Sequence, residues 1–379
     1  MPIRHLLAVA ASAVVLSSCA TDAGQREQGA NIFDMSPEAA ALTYKGKQAE
    51  QAIIASPQRI NDAELNAYVR GIVDDVAGDY KDDVRVYLVE APAFNAMVVP
   101  NGAMAVYSGL MLRMDNEAQL ANVLGHEFGH FLEQHALEKG MKVDSMMATM
   151  ILVNGASSGY GITGSGGGGA LASFNRKHEL EADAVGIRRA SAAGYAPEAS
   201  MELWKNLQRE LAQSSNEKKR KRGSSDKANT LDTHPPSAVR IAELQEIAAT
   251  LPAGKTNGEA YRARIRPFLL RWYAAELLTE DYGSVLALVE RKRELGEDLG
   301  VLGYVEGLAL SLRNAEGDKQ AALDAWDRAT AHRDVPTELY REKGLLLKTM
   351  GRTSEADEAF RLYLSSSPKD ADFIRSKMG

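Results

Sequence analysis

Two histidines separated by three residues, His126 and His130, flank Glu127 in the sequence His-Glu-Phe-Gly-His. Residues four apart on an α-helix lie on one face, so both rings can reach one metal ion. Glu127 points partly toward the same site, where its carboxylate can take a proton from a metal-bound water. The pattern predicts a metal-dependent hydrolase, although five residues of this kind also occur by chance in unrelated proteins.

Two protein ligands do not complete a catalytic zinc site, which usually has three ligands and a water. The next candidate lies in residues 175–183, which open a predicted helix that ends near Gly194. There Glu179 and Asp183 are four apart and share a face, whereas Glu181 projects about 200° away from Glu179. We expect Glu179 to bind the metal, and Asp183 to hydrogen-bond and orient a ligand histidine.

The other histidines fit this site less well. His135 lies about 140° from His130 on an ideal helix, which predicts a surface position. His178 points away from the metal face, so a structural or surface role is expected. His332 has no matching partner in the C-terminal region. Of these alternatives only His234 is a serious candidate for a role at the site.

The helices that must position these residues follow from periodicity and capping. One helix is predicted from Ser36, with Pro37 in its first turn, and a second amphipathic helix covers Asp62 to Ala77. Asp115 or Asn116 can cap the metal-binding helix. That helix also contains glycines beside both histidines, each costing about 1 kcal/mol relative to alanine, which indicates a need for close packing or for space for a substrate.

Three predicted strands precede the metal-binding helix. Residues 84–89 alternate and are rich in β-branched side chains, and residues 96–99 and 103–107 are joined by the turn Pro100-Asn101-Gly102. A sheet edge beside a metal-binding helix can bind an extended substrate by strand addition. The hairpin could equally be purely structural, and the sequence does not decide between the two.

Four motifs in this order resemble the gluzincin metallopeptidase family that contains HtpX, the CAAX prenyl endoproteases and BepA. The first is the segment Asn95-Ala96 with residues 100–110, and the second is the H-E-x-x-H pattern. The third is Glu179-x-x-Ala182-Asp183. The fourth is H-P-x-x-x-x-R-I, from His234 to Ile241. Together they cover roughly residues 40 to 250.

The resemblance implies an α+β, zincin-type peptidase domain with a small sheet next to the H-E-x-x-H helix. It implies one zinc ion per chain, bound by His126, His130 and Glu179, with Glu127 as the general base for peptide hydrolysis. The resemblance also implies that Asp183 is an acid that contacts a metal ligand. It implies that His234 and Arg240 lie near the site, where they steady the oxyanion or gate access to zinc.

Composition sets the broad class of the protein. With 379 residues, the chain is long enough for two or three domains. Its hydrophobic share of 45% and charged share of 25% are those of an ordinary soluble globular protein. The net charge of −7 gives no indication of nucleic-acid binding. Cys19 is the single cysteine, so no intrachain disulfide is expected.

The N-terminus is typical of a bacterial lipoprotein. Residues 1–19 combine a basic start with an apolar run too short to span a bilayer, and they end in Leu16-Ser17-Ser18-Cys19, which resembles a lipobox. Cys19 would carry the lipid, Ala20 after it favours outer-membrane retention by analogy with enteric lipoproteins, and residues 20–36 would form a tether. The alternative is a plain signal peptide with an incidental cysteine.

Two stretches in the middle of the chain allow two interpretations each. An apolar segment at 141–153 leads into a glycine-rich stretch at 154–169, which is either a surface linker or a lid over the site. The basic run at 218–222 is either a solvated loop or a contact with anionic lipid headgroups.

The C-terminal residues 251–379 are predicted to form helical pairs that resemble tetratricopeptide (TPR) repeats, after a peptidase domain at 37–250. Four residues lie at the repeat's glycine, alanine, aromatic and proline positions, namely Gly344, Ala356, Phe360 and Pro368. One repeat earlier, Ala322 and Trp326 match, but Leu310 replaces the glycine. Such repeats would present a concave surface to protein partners. A generic helical bundle is the alternative.

These observations together predict a zinc-dependent endopeptidase in the bacterial periplasm, anchored by lipid at Cys19 to the outer membrane. By analogy with the family's architecture, its substrates would be envelope proteins, in quality control or assembly of outer-membrane proteins. Peptides would bind at the sheet edge and protein partners at the repeats, with no role for nucleic acid. The alternative is a chaperone-like or scaffold lipoprotein whose peptidase site is self-inhibited.

Overall fold

Residues 28–29, 35–138, 176–220 and 238–378 are described by the computed structural model. The predicted signal peptide with Cys19, most of the tether, the apolar and glycine-rich stretches at 141–169, and His234 lie outside these residues. The basic run 218–222 extends beyond them as well.

Two capped helices open the described chain, as predicted. Helix α1 covers Pro37–Ile54, and the Ser36 hydroxyl accepts a hydrogen bond from the backbone nitrogen of Ala39 at 3.2 Å. Helix α2 covers Ala63–Ala77, and the Asp62 carboxylate accepts one from the backbone nitrogen of Leu65 at 2.8 Å. A short 3-10 helix, Gly78–Asp83, leads from α2 into the sheet.

A three-stranded sheet follows, with strands β1 (Arg85–Val89), β2 (Ala96–Val98) and β3 (Ala103–Tyr107) in the order β1-β3-β2. Strands β1 and β3 are parallel, whereas β2 and β3 form the predicted antiparallel hairpin. Its turn requires Gly102, because φ is +85° there and an added Cβ would lie 2.0 Å from the carbonyl oxygen of Asp83. Strand β2 is left at the sheet edge.

Both faces of β3 are covered. Ala103, Ala105 and Tyr107 pack toward α1, in a cluster with Ala49 and Ile53. The alternate residues Met104 and Val106 belong to the larger core on the other face, with side chains of α2 and of the metal-binding helix. Because both faces are buried, every residue of β3 is buried rather than only alternate ones.

The helices that surround the metal-binding residues come after the sheet. They are α3 (Ser108–Arg113), α4 (Glu117–Leu132), α5 (His135–Glu138), α6 (Arg176–Ala192), α7 (Ala199–Arg220) and α8 (Ala238–Ala248). Helix α4 carries the H-E-x-x-H pattern, and of its two predicted caps Asn116 is used, accepting from the Gln119 nitrogen at 2.9 Å. Every residue of α4 except Val123 is buried, so this helix crosses the interior.

From Gly258 to Arg375 the described chain consists of helices and the turns between them. They are α9 (Gly258–Ile265), a 3-10 turn (Arg266–Phe268), α10 (Leu269–Leu277), α11 (Tyr282–Arg293), α12 (Leu299–Arg313), α13 (Asp318–Ala329), α14 (Glu338–Thr349), α15 (Thr353–Leu364) and α16 (Ala371–Arg375). The larger hydrophobic core runs from Ile60 to Ala309 and thus continues across residue 250, whereas a separate core covers Leu310 to Ile374.

Two of these helix pairs pack a glycine against an aromatic ring. An added Cβ at Gly344 of α14 would lie 2.4 Å from the ring of Phe360 in α15. In the preceding pair, an added Cβ at Gly307 of α12 would lie 2.1 Å from Trp326 Nε1 in α13. The glycine missing at Leu310 is therefore replaced by one that lies one helical turn earlier. Assignment of these pairs to the tetratricopeptide class stays a prediction.

Taken as a class, the described residues are mostly helical with one small sheet, which confirms the α+β prediction at that level. Among the helices described, none combines the length and the apolar character that crossing a membrane demands.

Candidate metal centre

Three predicted ligands converge between α4 and α6. The Nε2 atoms of His126 and His130 lie 3.1 Å apart. Each faces a different carboxylate oxygen of Glu179, at 3.6 Å from His126 and 3.5 Å from His130. All three side chains are buried, and one ligand atom from each lies within 4.8 Å of the others. The helical spacing that suggested this set thus places it around one point.

Asp183 lies one turn beyond Glu179 on α6 and contacts the far side of His126. Its Oδ1 is 2.8 Å from His126 Nδ1, and both of its oxygens accept hydrogen bonds from Arg240 at 2.7 Å. Burial by itself would raise the pKa of Asp183, but the hydrogen bonds and charge of Arg240, with a smaller effect of His126, lower it to about 2. A pKa this low keeps Asp183 ionised at neutral pH beside the Nδ1 of His126, a position suited to accepting an Nδ1–H and leaving Nε2 toward the metal position.

Arg240, at the start of α8, joins the two carboxylates of α6. Besides its bidentate contact with Asp183, its Nη1 lies 3.1 Å from Glu179 Oε2, and its guanidinium group stacks over the ring of Trp204 at 4.2 Å. Burial would lower the pKa of Arg240, but Asp183, Glu179 and Glu127 raise it. The structure places this cation against the ligand-bearing face of α6, a position suited to holding carboxylates in place.

Glu127 follows His126 in α4 and is buried, with 4% of its surface exposed. Its charge raises the pKa of Arg240, although less than those of Asp183 and Glu179 do. The other predicted site residue, His234, lies outside the described residues. His332 is partly exposed between α13 and α14, and it belongs to neither group of metal-ligand side chains found among the described residues.

Close contact between α4 and α6 brings the ligands together. An added Cβ at Gly125 would lie 2.8 Å from the carbonyl oxygen of Gly186, and one at Gly129 would lie 3.0 Å from the backbone of Ala182. Side chains at these positions would force the two helices apart. The need for close packing that these glycines indicate in the sequence is confirmed.

The predicted surface position of His135 is wrong. Helix α4 ends at Leu132, and Gln134 adopts φ +51°, so the ideal-helix angle does not apply to His135. Its side chain is 1% exposed, its Nδ1 lies 2.8 Å from His130 Nδ1, and its ring stacks on that of His178 at 4.2 Å. No signal in the residues around Gln134 announces this break, which is why helical geometry missed the contact.

The sheet edge lies beside helix α4, which carries two of the candidate ligands. Strand β2 packs against α4, and among the described strands none pairs with its outer side. Peptide binding by strand addition at this edge stays a prediction.

The donor set fits a catalytic zinc ion. Two imidazole nitrogens and one carboxylate oxygen are the three protein ligands typical of such sites, and they leave a fourth position for water. Glu127, which follows His126 in α4, is buried as well, and burial of the site strengthens electrostatic interactions with a bound cation. The arrangement is suited to activating a water for attack on a carbonyl group.

Comparison with known proteins agrees with this chemistry. The profile of Peptidase family M48 matches residues 59–248, half of the chain. Mitochondrial metalloendopeptidase OMA1 of Schizosaccharomyces pombe is 29% identical over 182 residues, which are 46% of this chain and 50% of that protein. The Beta-barrel assembly-enhancing protease of Escherichia coli K12 is 29% identical over 205 residues, 50% of this chain and 40% of that protein. Its counterpart from Yersinia pestis is 28% identical over 160 residues, covering 38% and 33%. The chain spans half or less of the length of these relatives.

Proposed function

Because the chain belongs to peptidase family M48, we propose that it is a zinc-dependent endopeptidase that hydrolyses peptide bonds in proteins. The observation that carries the proposal is the convergence of His126, His130 and Glu179 on one point, with Glu127, the residue after His126 in α4, also buried.

The residues of the chain divide the work of hydrolysis. His126, His130 and Glu179 would hold the zinc, which when bound lowers the pKa of a water and polarises the scissile carbonyl. Glu127 takes a proton from the attacking water and passes it to the leaving amine nitrogen. Asp183 fixes the ring of His126, and Arg240 fixes both Asp183 and Glu179, so their part is to position ligands rather than to meet the substrate.

Substrate would bind as an extended strand along β2. Its edge position and its contact with α4 support this assignment, since main-chain hydrogen bonds along an edge strand can hold a peptide without regard to its sequence. The site would then act on unfolded or unassembled segments, in which the backbone is available for pairing.

The C-terminal helix pairs would recruit protein partners. The glycine–aromatic contacts of Gly307 with Trp326 and of Gly344 with Phe360 repeat from one pair to the next, as expected of stacked TPR-like repeats that build a concave surface.

The setting we propose is the bacterial envelope, with the protein lipid-anchored at Cys19 to the outer membrane. The names of the Escherichia coli and Yersinia pestis relatives support assembly or quality control of outer-membrane β-barrel proteins as the process served. A chaperone-like protein whose peptidase site is self-inhibited is the second candidate, favoured by the burial of all three metal ligands and Glu127.

Substitution of Glu127 by glutamine tests the general-base assignment. Glu127→Gln keeps the size of the side chain but cannot accept the proton, so cleavage of casein or of the protein itself should fall at least about a hundredfold, while zinc content stays at one per chain. Zinc is measured by elemental analysis of the same samples. Glu202→Gln, an exposed carboxylate of α7, is the matched control and should leave both quantities unchanged.

Two outcomes would contradict parts of the proposal. Equal cleavage by wild type and Glu127→Gln would remove Glu127 from the mechanism. A wild type that carries its zinc yet cleaves neither casein nor itself would favour the self-inhibited alternative.

A further inference from the structure

We propose that His135 is a positioning residue for the metal centre, holding the ligand His130 through a chain of hydrogen bonds that ends at Glu181. This inference rests on the proposed zinc site and adds a residue to it that the sequence pattern does not contain.

Contacts of His135 run from the metal position toward the surface. Its Nδ1 lies 2.8 Å from His130 Nδ1, and its Nε2 lies 3.3 Å from Glu181 Oε2. The Glu181 side chain is 40% exposed, and its other oxygen lies 3.4 Å from Lys177 Nζ. A buried imidazole thus connects the metal ligand to a carboxylate in contact with solvent.

Metal binding at His130 would fix the direction of both hydrogen bonds that link His130, His135 and Glu181. His130 directs Nε2 at Glu179 and His126, so this nitrogen must offer its lone pair to the metal, and the proton of the ring resides on Nδ1. That Nδ1–H donates to His135 Nδ1, which accepts. The proton of His135 therefore lies on Nε2, where the carboxylate of Glu181 accepts it. Every nitrogen of the two imidazole rings then has a partner, and both rings are neutral.

The two ligand histidines are thereby held by different means. His126 is fixed by the anion of Asp183, which Arg240 also contacts. His130 is fixed by a neutral acceptor, with the anion one residue farther out. Since Glu179, Glu127 and Asp183 already place three carboxylates in the buried site, a neutral partner orients the second ring without adding another buried charge.

A second metal ion is the rival use for these side chains. His135, His178 and Glu181 offer ligand atoms within 4.8 Å of one another. However, the rings of His135 and His178 are stacked, with 16° between their planes and 4.2 Å between their centres. Metal ions bind imidazole in the plane of the ring, and two nearly parallel planes do not meet near the rings. The stacked geometry favours hydrogen bonding for His135 and a packing role for His178.

Zinc affinity of His135 variants tests the inference. Zinc dissociation constants are measured by competition with a chromophoric chelator, and the visible spectrum of the cobalt-substituted protein reports the ligand geometry. His135→Leu removes the acceptor and should weaken zinc binding about tenfold to a hundredfold, the loss usual for such outer partners, and alter the cobalt spectrum. His135→Asn places an amide oxygen near the position of Nδ1 and should restore affinity to within about threefold of wild type.

His178→Leu is the matched control, because it removes the stacked ring but leaves the contact between His135 and His130. It should bind zinc within about threefold of wild type, with one equivalent per chain. Equal zinc affinity of wild type and His135→Leu would overturn the inference while leaving the proposed peptidase intact. So would a folded His135→Asn as weak as His135→Leu, or a second zinc equivalent that is lost in His178→Leu. A wild type that binds no zinc at all would instead overturn the proposed function itself.

Discussion

Asp183 shows how a single buried charge can be kept in place by its neighbours. Its carboxylate is 6% exposed and lies between the Nδ1 of His126 and the guanidinium of Arg240. An unpaired charge at this depth would be strongly unfavourable, and the bidentate contact with Arg240 provides the compensation. The buried charge of Arg240 is in turn compensated by Asp183 and Glu179. Removal of any one of the three residues therefore leaves a buried charge without its full compensation.

Replacing Asp183 by asparagine should therefore weaken metal binding. Asp183→Asn removes the anion that fixes His126 and leaves Arg240 with one buried carboxylate in place of two. We expect zinc affinity to fall about tenfold to a hundredfold, measured by chelator competition, with Glu202→Gln as the exposed control. Unchanged affinity would mean that His126 needs no such partner.

At the residue scale, the sequence predicts which side chains share one face of a helix, because spacing alone determines this. Glu179 and Asp183 could be selected because residues four apart share a face whatever surrounds them. His135 could not be selected in this way, because its position depends on the left-handed backbone conformation of Gln134, just after the end of α4. Gln134 is neither glycine nor asparagine, the residues that usually mark such a conformation. The contact of Arg240 with both carboxylates likewise depends on how α8 packs on α6, which no local pattern encodes.

At the scale of elements, the metal centre depends on the contact of α4 with α6. Gly125 and Gly186 face each other there, and both helices approach until their backbones touch. Two helices that carry side chains at the contact would lie farther apart, and Glu179 would no longer reach both histidines.

Gly186→Ala tests this contact. The new Cβ would lie 2.6 Å from the backbone nitrogen of His126 and 2.8 Å from the carbonyl carbon of Gly125, so the backbone must move. We expect the free energy of unfolding to fall by about 1–3 kcal/mol and zinc affinity to fall with it.

Gly71→Ala is the matched control, a glycine-to-alanine substitution at a position with open space for the new Cβ. Gly71 lies inside α2, and an added Cβ there meets nothing within 4 Å, so alanine should stabilise the helix by up to about 1 kcal/mol. Denaturant unfolding of both variants measures the difference. If Gly186→Ala matched Gly71→Ala in stability and kept its zinc affinity, the close approach of α4 and α6 would not matter.

Most helices and strands near the metal centre could be predicted from the sequence. Which of them pack against each other, and at which residues, could not. Caps such as Asp62, and the β-branched residues of β1, act within a few residues and are visible in the sequence. The glycine that accommodates Trp326 shows the limit. The repeat register points to residue 310, whereas packing uses Gly307. Only the relative position of two helices decides which turn of one meets the ring of the other.

At the scale of the whole molecule, the C-terminal helices hold the start of the metal-binding helix. Arg113, at the end of α3, is buried in ion pairs with Glu210 of α7 and Glu276 of α10. Asp115, one residue before the cap of α4, pairs with Arg291 and Lys292 of α11. Residues from both sides of position 250 therefore share one buried ionic network, and the predicted peptidase domain is packed firmly against α10 and α11.

Lys292 makes this network sensitive to alkaline pH. Burial lowers its pKa from 10.5 to about 8, even though Asp115 favours the charged form. Between these two values the unfolded chain still holds the proton that the folded chain has released, so the stability of the fold rises with pH in that window.

Lys292→Met removes the titrating group and should remove this rise. Relative to the variant, wild type should gain about 2 kcal/mol in free energy of unfolding between pH 7 and pH 10, as measured by denaturant unfolding at both values. Parallel pH profiles for the two proteins would show that Lys292 keeps an ordinary pKa in the folded state.

The long sequence separations within the metal centre have a consequence for its biogenesis. Asp183 and Arg240 are 57 residues apart, and His135 and Glu181 are 46 apart. Single helices form within microseconds, whereas such distant pairs must wait for the intervening chain to close. The candidate metal ligands therefore come together only when the helices that carry them have packed. A metal ion that binds only the packed form would stabilise that form, so the free metal concentration around the protein would also set its resistance to unfolding.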